Sequence, residues 1–145
     1  MKDSETLLIK AFFDCISKLM DANIIRSNTP IGDIGEWLCV HKYGLKLNES
    51  SRHPGFDGWI GQERVQVKLH NSPKGKNLNV GNPDKYDKLI ILLGPNSHLR
   101  VHDSVISFHA YNFTSSEVKQ LMKRESGYFC AKKICKTNSY ESIIL

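Results

Sequence analysis

Apolar residues recur at helical spacing from roughly Ser4 to Ala22: Leu7, Leu8, Ala11, Phe12, Cys15, Ile16, Leu19 and Met20 predict an amphipathic helix. A linker containing Asn28, Thr29 and Pro30 follows. Thr29-Pro30 predicts a helix start, because Thr can cap free N–H groups and Pro at the first position has no N–H to satisfy. The second helix is therefore expected from Pro30 to Tyr43, ending at Gly44. Gly32 and Gly35 weaken its first turns but permit close approach by another backbone. The pattern then changes period. Gly55 to Ile60 reads as a short strand, Gly61-Gln62 as a turn, and Glu63 to His70 alternates. Val65, Val67 and Leu69 face one way; Arg64, Gln66, Lys68 and His70 face the other, which makes a β-hairpin. Asn71 to Asp84 reads as a loop with a short strand at Leu78 to Val80. Lys88 to Leu93 is almost wholly apolar, the mark of a strand buried on both faces. After a turn at Gly94 to Ser97, Leu99 to Phe108 reads as a strand and Thr114 to Arg124 as a helix capped by Ser115 or Ser116. The tail from Tyr128 is too mixed to assign.

Helix, helix, hairpin, strand, strand, helix is the order of an α/β domain in which helices cover one mixed sheet. The 145 residues suit a single domain spanning 1–145. Its parts are an N-terminal helix extension (1–28), a central segment (29–93) and a C-terminal strand and helix (94–145). Hydrophobic residues make up 40% and charged residues 24%, which excludes collagen-like, fibrous and wholly disordered chains. No apolar run approaches the ~20 residues of a membrane span. The start, MKDSETLLIKAFFDC, lacks the pattern of a signal peptide, so a cytoplasmic location is expected. The net charge of +5, from 20 Lys+Arg against 15 Asp+Glu, favours a polyanionic partner without requiring one. Cys15 and Cys39 lie on apolar stretches and read as small core residues. Cys130 and Cys135 are spaced too widely for a zinc knuckle, and no second pair accompanies them.

The hairpin holds the candidate chemistry. Asp57 sits at its start, and Gln66 and Lys68 lie on one face of the return strand, so the three can converge. A carboxylate and an amide carbonyl offer hard oxygens suited to Mg²⁺. An ammonium group beside them can orient a water or stabilise charge on a phosphate.

Asp57 followed nine residues later by Gln66-Val67-Lys68 resembles the PD-(D/E)xK nuclease superfamily, whose fold is that of restriction endonucleases and Holliday-junction resolvases. The stretch Gly35-Glu36-Trp37-Leu38 resembles the helix that brings a further Glu to the metal site in that superfamily. Tyr43-Gly44-Leu45-Lys46-Leu47 and Phe56-Asp57-Gly58 extend the likeness, which covers roughly Thr29 to Leu93. The resemblance implies a restriction-endonuclease-like core and a catalytic set of Glu36, Asp57, Gln66 and Lys68. Glu36, Asp57 and Gln66 would hold Mg²⁺ or Mn²⁺. Two departures stand out. Phe56 replaces a structural Pro, and Gln66 replaces the second acid, so the metal must lean on Glu36 and Asp57.

Beyond that set, His70 lies on the same strand face as Lys68, placed to touch the nucleic acid. Lys74 and Lys76 follow in a basic loop placed to meet a DNA backbone. Lys119, Lys123 and Arg124, and then Lys132, Lys133 and Lys136, form further basic groups. The expected activity is therefore a Mg²⁺-dependent DNA endonuclease of a phage, mobile-element or defence setting. It would act as a homodimer or higher homo-oligomer, because one chain carries one site. The alternative is a catalytically weak or inactive relative of the same fold that binds DNA or a protein partner.

Overall fold

The computed structural model describes residues 2–50, 54–101 and 107–145. Helices α1 (Asp3–Asp21) and α2 (Pro30–Tyr43) come first. The strands β1 (Lys46–Leu47), β2 (Gly58–Ile60), β3 (Glu63–His70), β4 (Leu78–Asn79) and β5 (Lys88–Leu93) follow. The chain continues through β6 (Phe108–Thr114), α3 (Ser115–Leu121), β7 (Lys123–Arg124), β8 (Gly127–Cys130), α4 (Lys132–Thr137) and β9 (Glu141–Ile143). Six strands form one sheet in the order β1-β2-β3-β5-β6-β9, and β4-β8-β7 form a second, small one. In the large sheet β3 and β5 run parallel and their other neighbours antiparallel, so the sheet is mixed. Among the described residues no helix is long and apolar enough to cross a membrane.

The large sheet is covered on both faces, and β5 contributes to each. Ile90 and Leu92 join Val65 and Val67 of β3 under Leu38 and Cys39 of α2. Leu89, Ile91 and Leu93 turn to the opposite face, where α3, α4 and the small sheet close over them with Val118, Ile134 and Cys130. The continuous apolar run of β5 thus has a covering layer for each of its two rows. Arg64 and Asp87 lock the entry to this parallel pair. Asp87 accepts the Arg64 backbone N–H at 2.8 Å and two guanidinium bonds at 3.1 and 2.9 Å. Those bonds hold its carboxyl well below the usual range, at about 2.

Glycine matters at two places in this arrangement. Gly44 ends α2 in the left-handed region, φ 69°, as its position after the helix predicts. A Cβ on Gly35 would sit 3.0 Å from that of Leu69, so α2 comes close to β3 there. Gly32 makes no such approach, its nearest neighbour lying 3.8 Å away.

Several sequence expectations are corrected. The strand expected at Leu99 to Phe108 lies one element later, at Phe108–Thr114. Leu99 and Arg100 form a turn, and residues 102–106 lie outside the described set. The cap of α3 is Thr114, not a serine: its hydroxyl accepts the Glu117 N–H, and Glu117 returns the bond to the Thr114 N–H. That helix stops at Leu121, and Lys123-Arg124 pairs as a strand instead. Thr29 precedes α2 but makes no capping bond; its hydroxyl pairs with that of Ser27 at 2.8 Å. The hairpin's first strand is shorter than expected, beginning at Gly58 rather than Gly55. Cys15 is exposed, because α1 buries none of its residues, whereas Cys39 is fully buried. The tail resolves into β8, α4 and β9, with Cys130 and Cys135 packed together in the core, sulfurs 3.7 Å apart.

Gly58 is the tightest point of the β1–β2 pairing. A Cβ there would fall 2.3 Å from the Lys46 carbonyl oxygen, which is backbone and cannot swing aside. Gly58→Ala is expected to lower unfolding stability by roughly 1–3 kcal/mol. The check is a drop in the urea midpoint at unchanged slope. An unchanged midpoint would mean that β1 does not hold this register.

Candidate functional site

A fork opens between β2 and β3. The two strands pair only over Gly58–Val65, Trp59–Arg64 and Ile60–Glu63, while β3 runs on to His70. Upstream of Gly58 the chain leaves the ladder, and Asp57 takes over its role. The Asp57 N–H donates to the Val65 carbonyl at 2.9 Å, and its Oδ2 accepts the Val67 N–H at 2.7 Å. A side-chain oxygen thus satisfies the next free donor of β3, and the carboxylate is pinned at the base of the fork. Asn48 steadies the approach: its N–H donates to the Asp57 carbonyl and its amide to the Phe56 carbonyl, at 2.9 and 3.0 Å.

The sequence-predicted residues meet here. Gln66 donates its amide to Asp57 Oδ2 at 2.9 Å and also reaches the Val67 carbonyl at 3.3 Å. The Lys68 charge lies near enough to favour the ionised form of Asp57. Glu36 of α2 approaches near enough that the Asp57 charge opposes its ionisation. Burial is the main reason both carboxyls sit above their ordinary range; the Asp57 charge adds to the shift at Glu36. Val67 between Gln66 and Lys68 points into the core with Val65, as the alternation predicts.

One participant carries no sequence signal. Arg26, in the stretch read as linker, donates its guanidinium to Glu36 Oε2 at 2.6 Å. It is held there by the buried Asp33 in the first turn of α2, whose Oδ2 accepts the N–H groups of Arg26 and Ser27 at 2.7 and 2.6 Å. The ten-residue separation between Arg26 and Glu36 matches neither a helical nor a strand period. The contact therefore exists only once the linker folds back.

The nearby basic candidates are more scattered. His70 is not free: its Nδ1 meets the Ser97 hydroxyl at 2.7 Å, and its ring packs edge-on to His98 at 5.1 Å. Burial and His98 together lower its pKa. Lys74 and Lys76 stand exposed on the loop after β3. Lys119 is engaged with Asp84 at 2.7 Å. His53 and His102 lie outside the described residues.

Among the described residues no group of three His, Cys, Asp or Glu could hold a metal ion. An ion at the fork would rest on the two carboxylates, with an amide or backbone oxygen completing the set. Two half-buried carboxylates, the charge of Asp57 opposing that of Glu36, suit a hard divalent cation, and Mg²⁺ commonly binds through one or two carboxylates and water. Gln66 fits less directly. Its nitrogen faces Asp57, so its oxygen would turn to a cation only after the amide rotates and gives up both bonds. The chain matches no protein-family model, and no curated protein shows significant similarity to it.

The raised carboxyls give a pH test. A carboxyl whose folded-state pKa lies above its unfolded value stabilises the fold below the unfolded pKa, and that contribution is lost as pH rises through the folded value. Glu36→Gln removes the ionisation. The variant is expected to gain stability relative to wild type as pH rises from about 4 to about 8, and to lose that advantage in acid. Urea unfolding across this range measures it. A variant relatively less stable at neutral pH would show that the Arg26 pair outweighs burial.

Proposed function

We propose that this protein is a Mg²⁺- or Mn²⁺-dependent DNA endonuclease of the cytoplasm, as its resemblance to the PD-(D/E)xK superfamily implies. The observation that supports the reading is the meeting of Glu36, Asp57, Gln66 and Lys68 at one fork, with Asp57 pinned by the Val67 N–H. Glu36 and Asp57 would hold the ion, with the Gln66 or Val67 oxygen beside them. A bound ion supplies Lewis acidity toward a phosphate oxygen and lowers the pKa of a bound water. Lys68, adjacent to Asp57, would position the attacking water and offset charge that builds on the phosphate. Lys74 and Lys76 would hold the backbone of the strand, with His70, tied to Ser97, beside them at the end of β3. Two copies would supply two sites, as cutting both strands requires.

Lys68→Ala distinguishes catalysis from mere attraction. A catalytic Lys68 predicts cleavage in Mg²⁺ slowed about 10²–10³-fold with little change in DNA affinity. Affinity is measured in Ca²⁺, which supports binding without cutting in the superfamily it resembles. A surface lysine would instead lower the salt slope of binding by about one and leave the rate alone. Wild-type cleavage by this variant would defeat the nuclease reading of β3.

One observation favours a second reading, a DNA- or protein-binding protein that does not cut. Arg26 covers Glu36 and the Gln66 amide covers Asp57, so both carboxylates have partners without a metal. Gln66→Glu separates the two. It replaces the donor to Asp57 by a like charge, so the variant is expected to melt lower than wild type in chelator and to gain more from Mn²⁺. Thermal melts with and without Mn²⁺ read both effects. No added stabilisation by Mn²⁺ would favour the binding protein.

A further inference from the structure

We propose that the apolar stripe of α1 pairs with the same stripe on a second copy of this chain, as an antiparallel two-fold helix pair. This interface stands whether or not the fork cuts DNA. The 19 residues of α1 bury no side chain within the chain. A helix of that length standing alone in water is marginal, and most helical stability in proteins comes from packing an apolar face. Leu8, Phe12, Phe13, Ile16, Leu19 and Met20 supply such a face at helical spacing. Leu8, Phe12, Phe13 and Met20 are 51–72% exposed. With Ile9 and the half-buried neighbours they present on the order of 600 Å² of apolar surface, at the top of what a monomer shows and close to the ~800 Å² each partner gives a standard interface.

Charge indicates what covers the stripe. The opposite side of α1 carries Lys10, Asp14, Lys18 and Asp21, with Lys18 and Asp14 paired at 2.8 Å. A helix lying on a membrane carries a polar face rich in Lys and Arg, and this one is balanced. The balance equally disfavours a nucleic acid. Beside the C-terminal half of α1 runs a groove of about 520 Å³, walled by Phe12, Ile16 and Met20 and by Ile25, Arg26 and Pro30 of the linker. Among the described residues that line it, Arg26 is the one that carries a charge. An antiparallel copy brings its own first turn, with Asp3 and Glu5, to this end of the helix. Glu5 falls on the stripe side, in series with Leu8 and Phe12, and so meets the guanidinium N–H groups of Arg26 other than the Nη2 that holds Glu36. A parallel pair would set the two acidic turns against each other, which is unfavourable.

The test is the mass of the full chain by sedimentation equilibrium at micromolar concentration. Wild type is expected at twice the 16.5 kDa of one chain. Phe12→Asp/Ile16→Asp is expected at the single mass with unchanged near-ultraviolet circular dichroism, since neither residue touches the sheet core. Glu5→Lys should weaken pairing about three- to tenfold. Direction is read by copper-phenanthroline oxidation in a Cys15→Ser background. Leu8→Cys chains should cross-link to Met20→Cys chains and not to themselves. A monomeric wild type, a dimer that survives the double substitution, or monomers that sediment with phosphatidylserine vesicles would each overturn the proposal. Self-cross-linking of Leu8→Cys would overturn the antiparallel arrangement.

Discussion

A strand without a polar face must be covered twice, and β5 imposes that requirement on the rest of the chain. Its alternate side chains feed two separate cores, Ile90 and Leu92 on the α2 side and Leu89, Ile91 and Leu93 on the other. Its parallel pairing with β3 sets Gln66 opposite Leu89 and Lys68 opposite Ile91. That register fixes which side chains of β3 enter the core and which are left along its length. The Arg64–Asp87 bonds anchor the start of the pair, so a slip by one residue would break them and turn Val65 and Val67 outward.

The fork follows from the mismatch between a long β3 and a short β2. Where β2 ends, β3 still offers the Val67 N–H, and burial without a partner would be costly. Asp57 answers that donor with a carboxylate, which places a charge where the strand would have placed a neutral carbonyl. Burial then raises the pKa of both Asp57 and Glu36, and the Arg26 guanidinium offsets part of the strain at Glu36. A backbone constraint and an electrostatic one are therefore joined in a single residue, and the same carboxylate serves the sheet and the site.

The N-terminal helix obeys a different rule. The sheet and its covering helices close their own cores, whereas the described residues leave most of the apolar side of α1 uncovered. Its connection to the rest runs through Ile25, which is buried, and Arg26, which reaches Glu36. The segment that follows the uncovered helix is thus also a wall of the candidate site.

Local pattern was enough for α2, β3 and β5, whose ends fall where Pro30, Gly44, Gly61 and the KLIILL run place them. It was enough to put Gln66 and Lys68 on one face and Val67 between them in the core, since alternation depends on the pleat alone. It failed where the deciding partner is distant in the chain. Nothing near Arg26 announces Glu36, and nothing near His70 announces Ser97 and His98, because folded-back loops bring them together without a period. The small sheet, β8 and β9 gain their structure from pairing with strands far away, so their mixed sequence carries no signal of its own. Cys15 sits on an apolar helix face, which marks it for burial, yet only the tertiary structure shows that it is exposed. The orientation of the Gln66 amide is of the same kind: sequence supplies the group, and two acceptors, Asp57 Oδ2 and the Val67 carbonyl, draw its nitrogen to their side.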